Sequence, residues 1–340
     1  MRKLSSIQKI MNIQPIEGAD RIEVATVNGW KVVVGKGDFN VGDLCVYFEI
    51  DSILPLDKFP ELENSKGRIK TIRLRGQLSQ GYCITFDRFK KILDDGDFWD
   101  KMDEDISIVN WKVGDDVTNF LGVEKYEPPI LFKNGDAKGV FPSYILPKSD
   151  EDRIQSNMDY LDKFKGLPWV ATVKYDGTSA TFGYDNDEFF TCSRNLKIHD
   201  GDNVYWNIAR KYKLHEIPPY LVVQGEVVGP GIQNNRLGLK DIEFHIFRVY
   251  DQLKKRYLFY DERIKLCKSY GIPHVALDSR GDHFDMTLEK VLDIAEGKYN
   301  NTKNEREGLV FEVDGLVNTE FGGHLSFKVI SNKFLLKGGD

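Results

Sequence analysis

The sequence predicts an α+β protein in two parts, a small β-barrel followed by a domain of antiparallel sheet and helices. Three observations lead there. At 340 residues the chain is too long for one ordinary core. Its first 120 residues read as short β runs punctuated by turn dipeptides. From about Leu167, strand-like runs mix with helical ones.

In the first part, Arg21–Val27 and Trp30–Val34 flank Asn28-Gly29, a pair that tolerates φ > 0 and so marks a tight hairpin. Leu44–Ile50, Ile69–Arg75 and Gly81–Phe86 are the next expected strands. Gly37-Asp38, Gly42-Asp43 and Gly114-Asp115 supply turns. Short antiparallel strands in so small a span fit an OB-fold. The acidic stretch Asp94–Ser107 reads as a surface insertion. Between Tyr126 and Arg153, Pro128, Pro129, Pro142 and Pro147 exclude a long regular element. This segment is expected to link the parts, giving domains over 1–125 and 126–340. Beyond it, Val204–Tyr212 and Leu288–Gly297 are expected helices. Tyr220–Val228, Phe244–Val249, Leu309–Val313 and Leu325–Ile330 are expected strands.

Composition excludes several classes. Hydrophobic residues at 41% and charged residues at 29% describe a globular chain, not a disordered one. No apolar run approaches the roughly 18 residues of a membrane span, and MRKLSSIQKIMNI lacks the apolar segment of a secretory signal. Cys45, Cys83, Cys192 and Cys267 form no CxxC pair and read as buried thiols, so an intracellular, non-secreted protein is expected. The six histidines show no ligand spacing. A net charge of −6 argues against a uniformly basic surface. One local basic run exists, Ser65–Gly81, with Lys66, Arg68, Lys70, Arg73 and Arg75. In a strand Arg73 and Arg75 would share one face, with Ile72 and Leu74 on the other. Such a run is either a solvated strand face or a grip on a phosphate backbone.

Chemistry concentrates in WVATVKYDGTSATFGY, Trp169–Tyr184. Lys174 and Asp176 are two apart and share a strand face, and Gly177 lets the chain turn. Alone, this is most often a surface ion pair. Three later segments change the reading. In VVQGEVVGPGIQNN an apolar strand runs into Glu226. In REGLVFEV, Glu307 and Gly308 precede another strand. In LSFKVISNKFLLK, Lys328 sits among apolar neighbours, which is costly for a charge unless it is paired or functional. Carboxylates suit Mg²⁺ or Mn²⁺, hard ions that keep waters and bridge to phosphate. A lysine nucleophile must lose its proton, and a nearby cation would lower its pKa.

Lys174–Gly177 resembles the K-x-D-G motif of the covalent nucleotidyltransferases, which comprise DNA ligases, RNA ligases and mRNA capping enzymes. Gly225-Glu226 resembles their third motif, Phe247 the aromatic of the next, Glu307-Gly308 the fourth and Ser326-Phe327-Lys328 the fifth. Ser193–Asn195 with NVYWNIARKY, QGEVVGPGIQNN and PKSDEDRIQS are similar to RNA ligases in particular. DNA ligases and capping enzymes carry their OB domain after the fifth motif, and only twelve residues follow Lys328. The chain thus resembles the type-5 RNA ligases, ATP-dependent enzymes with an amino-terminal OB domain ahead of a nucleotidyltransferase (ATP-grasp-like ligase) domain.

The resemblance implies a reaction. Lys174 attacks the α-phosphorus of ATP, AMP passes to an RNA 5′-phosphate, and a 3′-hydroxyl displaces it. The expected RNA is a nicked duplex and the expected protein a monomer. Asp176, Glu226 and Glu307 would hold the metal through its waters. Lys328 would contact the α-phosphate and Phe247 would stack on adenine. Arg194 would approach the ribose or the RNA end, and Arg153 the nucleotide phosphates or ribose. Arg73 and Arg75 would grip RNA. Simpler readings stay open: Phe247 as a core residue, Arg153 as a partner of Asp150 or Glu151. Two positions depart from the family pattern. Ser326 stands where a first lysine is common, leaving Lys328 alone or with Lys337. Arg248-Val249 stands where many relatives have Asp-Ile. The rival readings are a DNA ligase, a GTP-using capping enzyme and a non-catalytic RNA-binding adaptor.

Overall fold

The computed structural model describes residues 3–94, 111–126, 136–315 and 324–338. Most of the acidic stretch Asp94–Ser107, and Pro128 and Pro129, lie outside them. The chain divides into two compact units. One comprises Met1–Pro129, Gln155–Met158 and Leu335–Asp340; the other comprises Ile130–Ile154 and Asp159–Phe334.

The first unit is built on a curled five-stranded antiparallel sheet. In spatial order its strands are Trp30–Gly35, Ile22–Val27, Ser5–Pro15, Leu44–Phe48 and Tyr82–Thr85. The hairpin expected at Asn28-Gly29 forms, with Val27 directly opposite Trp30 and Asn28 at φ 49. The central strand, Ser5–Pro15, is the longest of the five, yet its sequence does not announce it. A register shift between Ile10 and Asn12 lets its first half pair with Leu44–Phe48 and its second half with Ile22–Val27. A bulge of this kind bends the strand toward closure and breaks the period-2 pattern that would have revealed it. The core holds Trp30, Tyr47, Phe48 and Phe59. The helix Phe86–Asp94 buries Phe89 and Leu93.

The basic run differs from expectation. Thr71–Leu74 pairs with Gln77–Gln80 as a separate hairpin. Leu74 faces Gln77, so Arg75 and Gly76 form the turn, Arg75 at φ 50. Arg75 therefore does not alternate along a strand with Arg73. Ile72, Arg73, Leu74 and Arg75 are all exposed, so the hairpin buries neither of these faces.

The second unit has two antiparallel sheets. The larger has seven strands in the order Ala137–Val140, Leu196–Ile198, Glu188–Cys192, Thr178–Asp185, Leu221–Val228, Glu243–Asp251 and Arg256–Tyr257. The smaller has four: Leu277–Gly281, Trp169–Lys174, Gly308–Val313 and Ser326–Ile330. The expected helices form over Val204–Lys211 and Leu288–Ala295. Asn203 caps the first, its side chain accepting from Trp206 N. Tyr205, Ile208 and Ala209 of that helix pack on Phe182, Val223, Phe244 and Ile246 of the larger sheet. Phe164, Phe284, Phe311 and Phe327 fill the core on the smaller sheet. Two rigid cores thus hold the sheet ends where the polar residues collect. All four cysteines are buried and free. Among the described residues no helix is long and apolar enough to cross a membrane.

Candidate active site

The strand Trp169–Lys174 runs between two partners and ends on Lys174, which lies opposite Gly308. That register brings Glu307, one residue before the neighbouring strand, to the lysine: Nζ stands 2.6 Å from Glu307 Oε1. Gly308 is required here, because a Cβ would overlap the Val329 carbonyl oxygen. Gly177 is equally confined, by the Val227 carbonyl and the Glu226 side chain. Glu226 comes from the other sheet, opposite Ser179. Asp176 ends the lysine's turn and pairs with Arg236 Nε at 2.9 Å.

Lys328 lies on the last strand, opposite Val310. Its Nζ donates to Asp150 Oδ1 at 2.9 Å, and its backbone N–H donates to the Asp152 carbonyl. Asp150 also takes Arg194 at 2.6 Å. Arg153 is buried and forms a parallel backbone bridge with Lys328. Of its two expected neighbours, Asp150 is joined to Lys328 and Arg194, and Glu151 to Arg248. Phe247 is the extra residue of a bulge: Gly225 faces Ile246 while Gln224 faces Arg248. Its neighbours Phe244, Ile246 and Val249 are in the core, whereas Phe247 is only half-buried. A bulge re-aims a side chain, and here part of the ring stays exposed.

The electrostatics follow from crowding. Burial, with Glu307 and Asp176 adding to it, pushes Glu226 up to about 8 against the pull of Lys174 and Arg194. Burial and Glu307 raise Asp176 to about 6, despite Arg236 and Lys174. Burial alone would depress the Lys174 ammonium, but Glu307, Glu226 and Glu151 outweigh it and hold its pKa above the ordinary range. Among the chain's own groups the carboxylates thus outweigh any lowering of the lysine. Lys328 does shift down, through burial first, with Lys174 and Arg153 adding and Asp150 opposing.

Among the described residues no cluster of three or more His, Cys, Asp or Glu is arranged to ligate an ion directly. Asp176 and Glu307 each face a cation of the chain instead. Holding an ion through its waters needs no such convergence. The donor set fits that role: three carboxylates stand at neighbouring strand ends, and a cation among them would favour the ionised form of Glu226, which burial now holds protonated up to about 8.

Two residues at the site carry no motif. The hydroxyl of Tyr299 donates to the Lys174 carbonyl at 3.0 Å and accepts from the backbone N–H groups of Asp176 at 3.0 Å and Glu307 at 3.1 Å. One buried hydroxyl thus ties the lysine's turn to the strand start that carries Glu307. Arg236 lies one residue beyond QGEVVGPGIQNN; its place directly after that segment is the one local signal that could have found it. Nothing in the sequence around Tyr299 marks it.

Two antiparallel sheets that bring lysines and carboxylates together at their strand ends suit phosphate chemistry, and comparison with known proteins gives the class. An OB-fold domain family model matches residues 4–86, and an RNA ligase family model matches residues 167–330. A Naegleria gruberi RNA ligase structure with PPi is 36% identical with a TM-score of 0.86, covering 100% of both chains. A mutant of that ligase with ATP and Mn is 36% identical with a TM-score of 0.84, covering 98% of each. Another mutant with AMP and Mn is 35% identical, also at TM-score 0.84 and 98% of each. No match was found among curated proteins. The chain belongs to the RNA ligase family.

Proposed function

We propose that this chain is an ATP-dependent RNA ligase that joins a 3′-hydroxyl to a 5′-phosphate through a lysyl-AMP intermediate on Lys174. The observation that carries the reading is the 2.6 Å contact between Lys174 Nζ and Glu307, at the end of a strand whose next turn supplies Asp176. Full-length similarity to a ligase whose structures hold ATP, AMP, Mn and PPi supports the choice of nucleotide.

In the first step, Lys174 Nζ attacks the α-phosphorus. The P–N bond forms, the bond to the bridging oxygen breaks, and pyrophosphate leaves. Glu307, 2.6 Å from that nitrogen, would accept the proton it sheds. Lys328 holds the α-phosphate, with Arg194 and Arg153 on the nucleotide and Phe247 against the adenine. In the second step the 5′-phosphate of RNA takes AMP from Lys174, which regains its proton. In the third, the 3′-hydroxyl oxygen attacks that 5′-phosphorus, the P–O bond to AMP breaks, AMP departs and the hydroxyl proton passes to solvent. Asp176, Glu226 and Glu307 would hold Mg²⁺ or Mn²⁺, whose charge would offset theirs and that of the phosphates. The exposed hairpin with Arg73 and Arg75 would contact the RNA backbone, in a nicked duplex, with the protein acting as a monomer.

Incubation with divalent metal and either labelled ATP or labelled GTP tests the reading. A covalent adduct from ATP, discharged onto 5′-phosphorylated RNA and then lost on sealing, is the expected result. An adduct from GTP alone would mean a capping-type enzyme, and no adduct would mean a non-catalytic RNA-binding protein.

A further inference from the structure

The two positions that depart from the family pattern meet in space. Arg248 Nη2 lies 3.4 Å from Ser326 Oγ and forms an ion pair with Glu151. Ser326 and Lys328 are two apart on one strand and share its face. A cation therefore stands beside position 326 even though that residue is a serine. It arrives from the other sheet, on the strand Glu243–Asp251.

Arg248 is only 6% exposed, and its Nε has no hydrogen-bond partner among the described residues. Its guanidinium also lies 5.2 Å from the Tyr257 ring centroid. Burying a guanidinium is costly and demands a reason. The partner supplies one. Glu151 lies between Asp150, which holds Lys328 and Arg194, and Asp152, whose carbonyl takes the Lys328 backbone. Its carboxylate is in the field of Arg248, Lys328 and Lys174 together. Without Arg248, the charge of Glu151 would fall on the two lysines that the proposed chemistry needs for phosphate.

We propose that Arg248 is a positioning residue that occupies the charge site beside Ser326 and sequesters Glu151, so that Glu151 adds no further pull to the carboxylates already facing Lys174 and Lys328. The cation is thus carried by position 248, and Ser326 is small because the guanidinium takes its space. This inference rests on the ligase reading above and concerns the first step only.

The test is single-turnover formation of the lysyl-adenylate by wild type, Arg248→Met, Arg248→Met/Ser326→Lys and Arg248→Met/Glu151→Gln, with thermal melting as the folding control. Arg248→Met is expected to slow the step about tenfold or more, since a buried carboxylate loses its partner. Ser326→Lys, which returns a cation to the same place from the other strand, should bring the double variant to within about threefold of wild type. Glu151→Gln, which removes the charge in need of a partner, should do the same. A role in packing against Tyr257 would be rescued by neither. Failure of both double variants in folded protein overturns the proposal, as does full activity of Arg248→Met. Rescue by Ser326→Lys without rescue by Glu151→Gln also overturns it, since the arginine would then act on the nucleotide itself. If Arg248→Met does not fold, Arg248→Met/Glu151→Gln decides: near-normal rate supports the proposal and a folded, slow protein contradicts it. An absence of adduct in wild type would instead sink the ligase reading.

Discussion

The molecule holds two sets of cations under opposite regimes. In the hairpin Thr71–Gln80 of the front unit, Arg73 and Arg75 are exposed, and among the described residues neither takes a carboxylate partner. In the second unit, Lys174, Lys328, Arg236 and Arg248 are buried or partly buried and each faces a carboxylate. A solvated arginine exchanges small ions for phosphate at little cost and acts mainly through counterion release. A buried lysine or arginine must be neutralised before substrate arrives, and its neutralising group fixes where it points. The first arrangement suits a polymer that slides, and the second suits a phosphorus atom that must be met at one angle. Substitutions should therefore split: site changes alter the rate of a chemical step, and hairpin changes alter salt-sensitive binding.

The largest effects should come from the carboxylates. Glu226→Ala or Glu307→Ala should slow self-adenylylation by about a hundredfold or more and raise the metal concentration required, read by single-turnover labelling across a metal series. Full activity at ordinary metal concentration would make that acid dispensable. Next is Tyr299→Phe, which removes one hydroxyl that serves three backbone groups. At about 1 kcal/mol for each net hydrogen bond, a slowing of about tenfold or more is expected, with little change in RNA affinity.

A smaller effect follows from the raised acids. Folded Glu226 keeps its proton to about 8, against an ordinary 4.5. The stability this lends is complete below about 4.5 and is lost as pH rises through about 8. Metal-free protein should therefore melt at a lower temperature at pH 8.5 than at pH 6, and Glu226→Gln should shrink that difference. Mg²⁺ or Mn²⁺ should raise the melting temperature more at the higher pH. An equal rise at both would mean that the ion does not answer this charge.

The smallest effect on chemistry should come from the hairpin. Arg73→Ala with Arg75→Ala should leave adenylylation near normal and weaken RNA binding. The salt slope should flatten by about 0.7–0.9 for each lost contact. Unchanged affinity across the salt series would make the hairpin merely solvated. Lost adenylylation with intact folding would erase the contrast between the two sets of cations.

What the sequence disclosed and what it hid divide along the same physical line. Lys174, Asp176 and Gly177 were legible because their arrangement is local: alternation sets the shared face and a confined glycine sets the turn. Glu226, Glu307 and Lys328 were legible as charges at the ends or within apolar strands. Ser5–Pro15 was hidden because its bulge interrupts the alternation that marks a strand. Arg75 is hidden as a turn residue because Arg-Gly is a weak turn signal beside Asn-Gly, so the expected strand runs one residue too far at that end, besides starting two residues early. Tyr299 was hidden because its role depends on three backbone groups brought to it by pairing between distant segments. The Arg248–Ser326 contact was invisible for a related reason: two separate departures from a pattern disclose no exchange until the sheets set them side by side.

The central claim is that Lys174 is the residue that carries AMP. The most direct measurement is to stop the reaction of the full chain with ATP and divalent metal before RNA is added, digest it, and find the adenylylated peptide by mass. The expected result is a phosphoramidate on Lys174, absent from Lys174→Ala, which should neither label nor seal. An adduct located on Lys328, or one that persists in Lys174→Ala, would contradict the account.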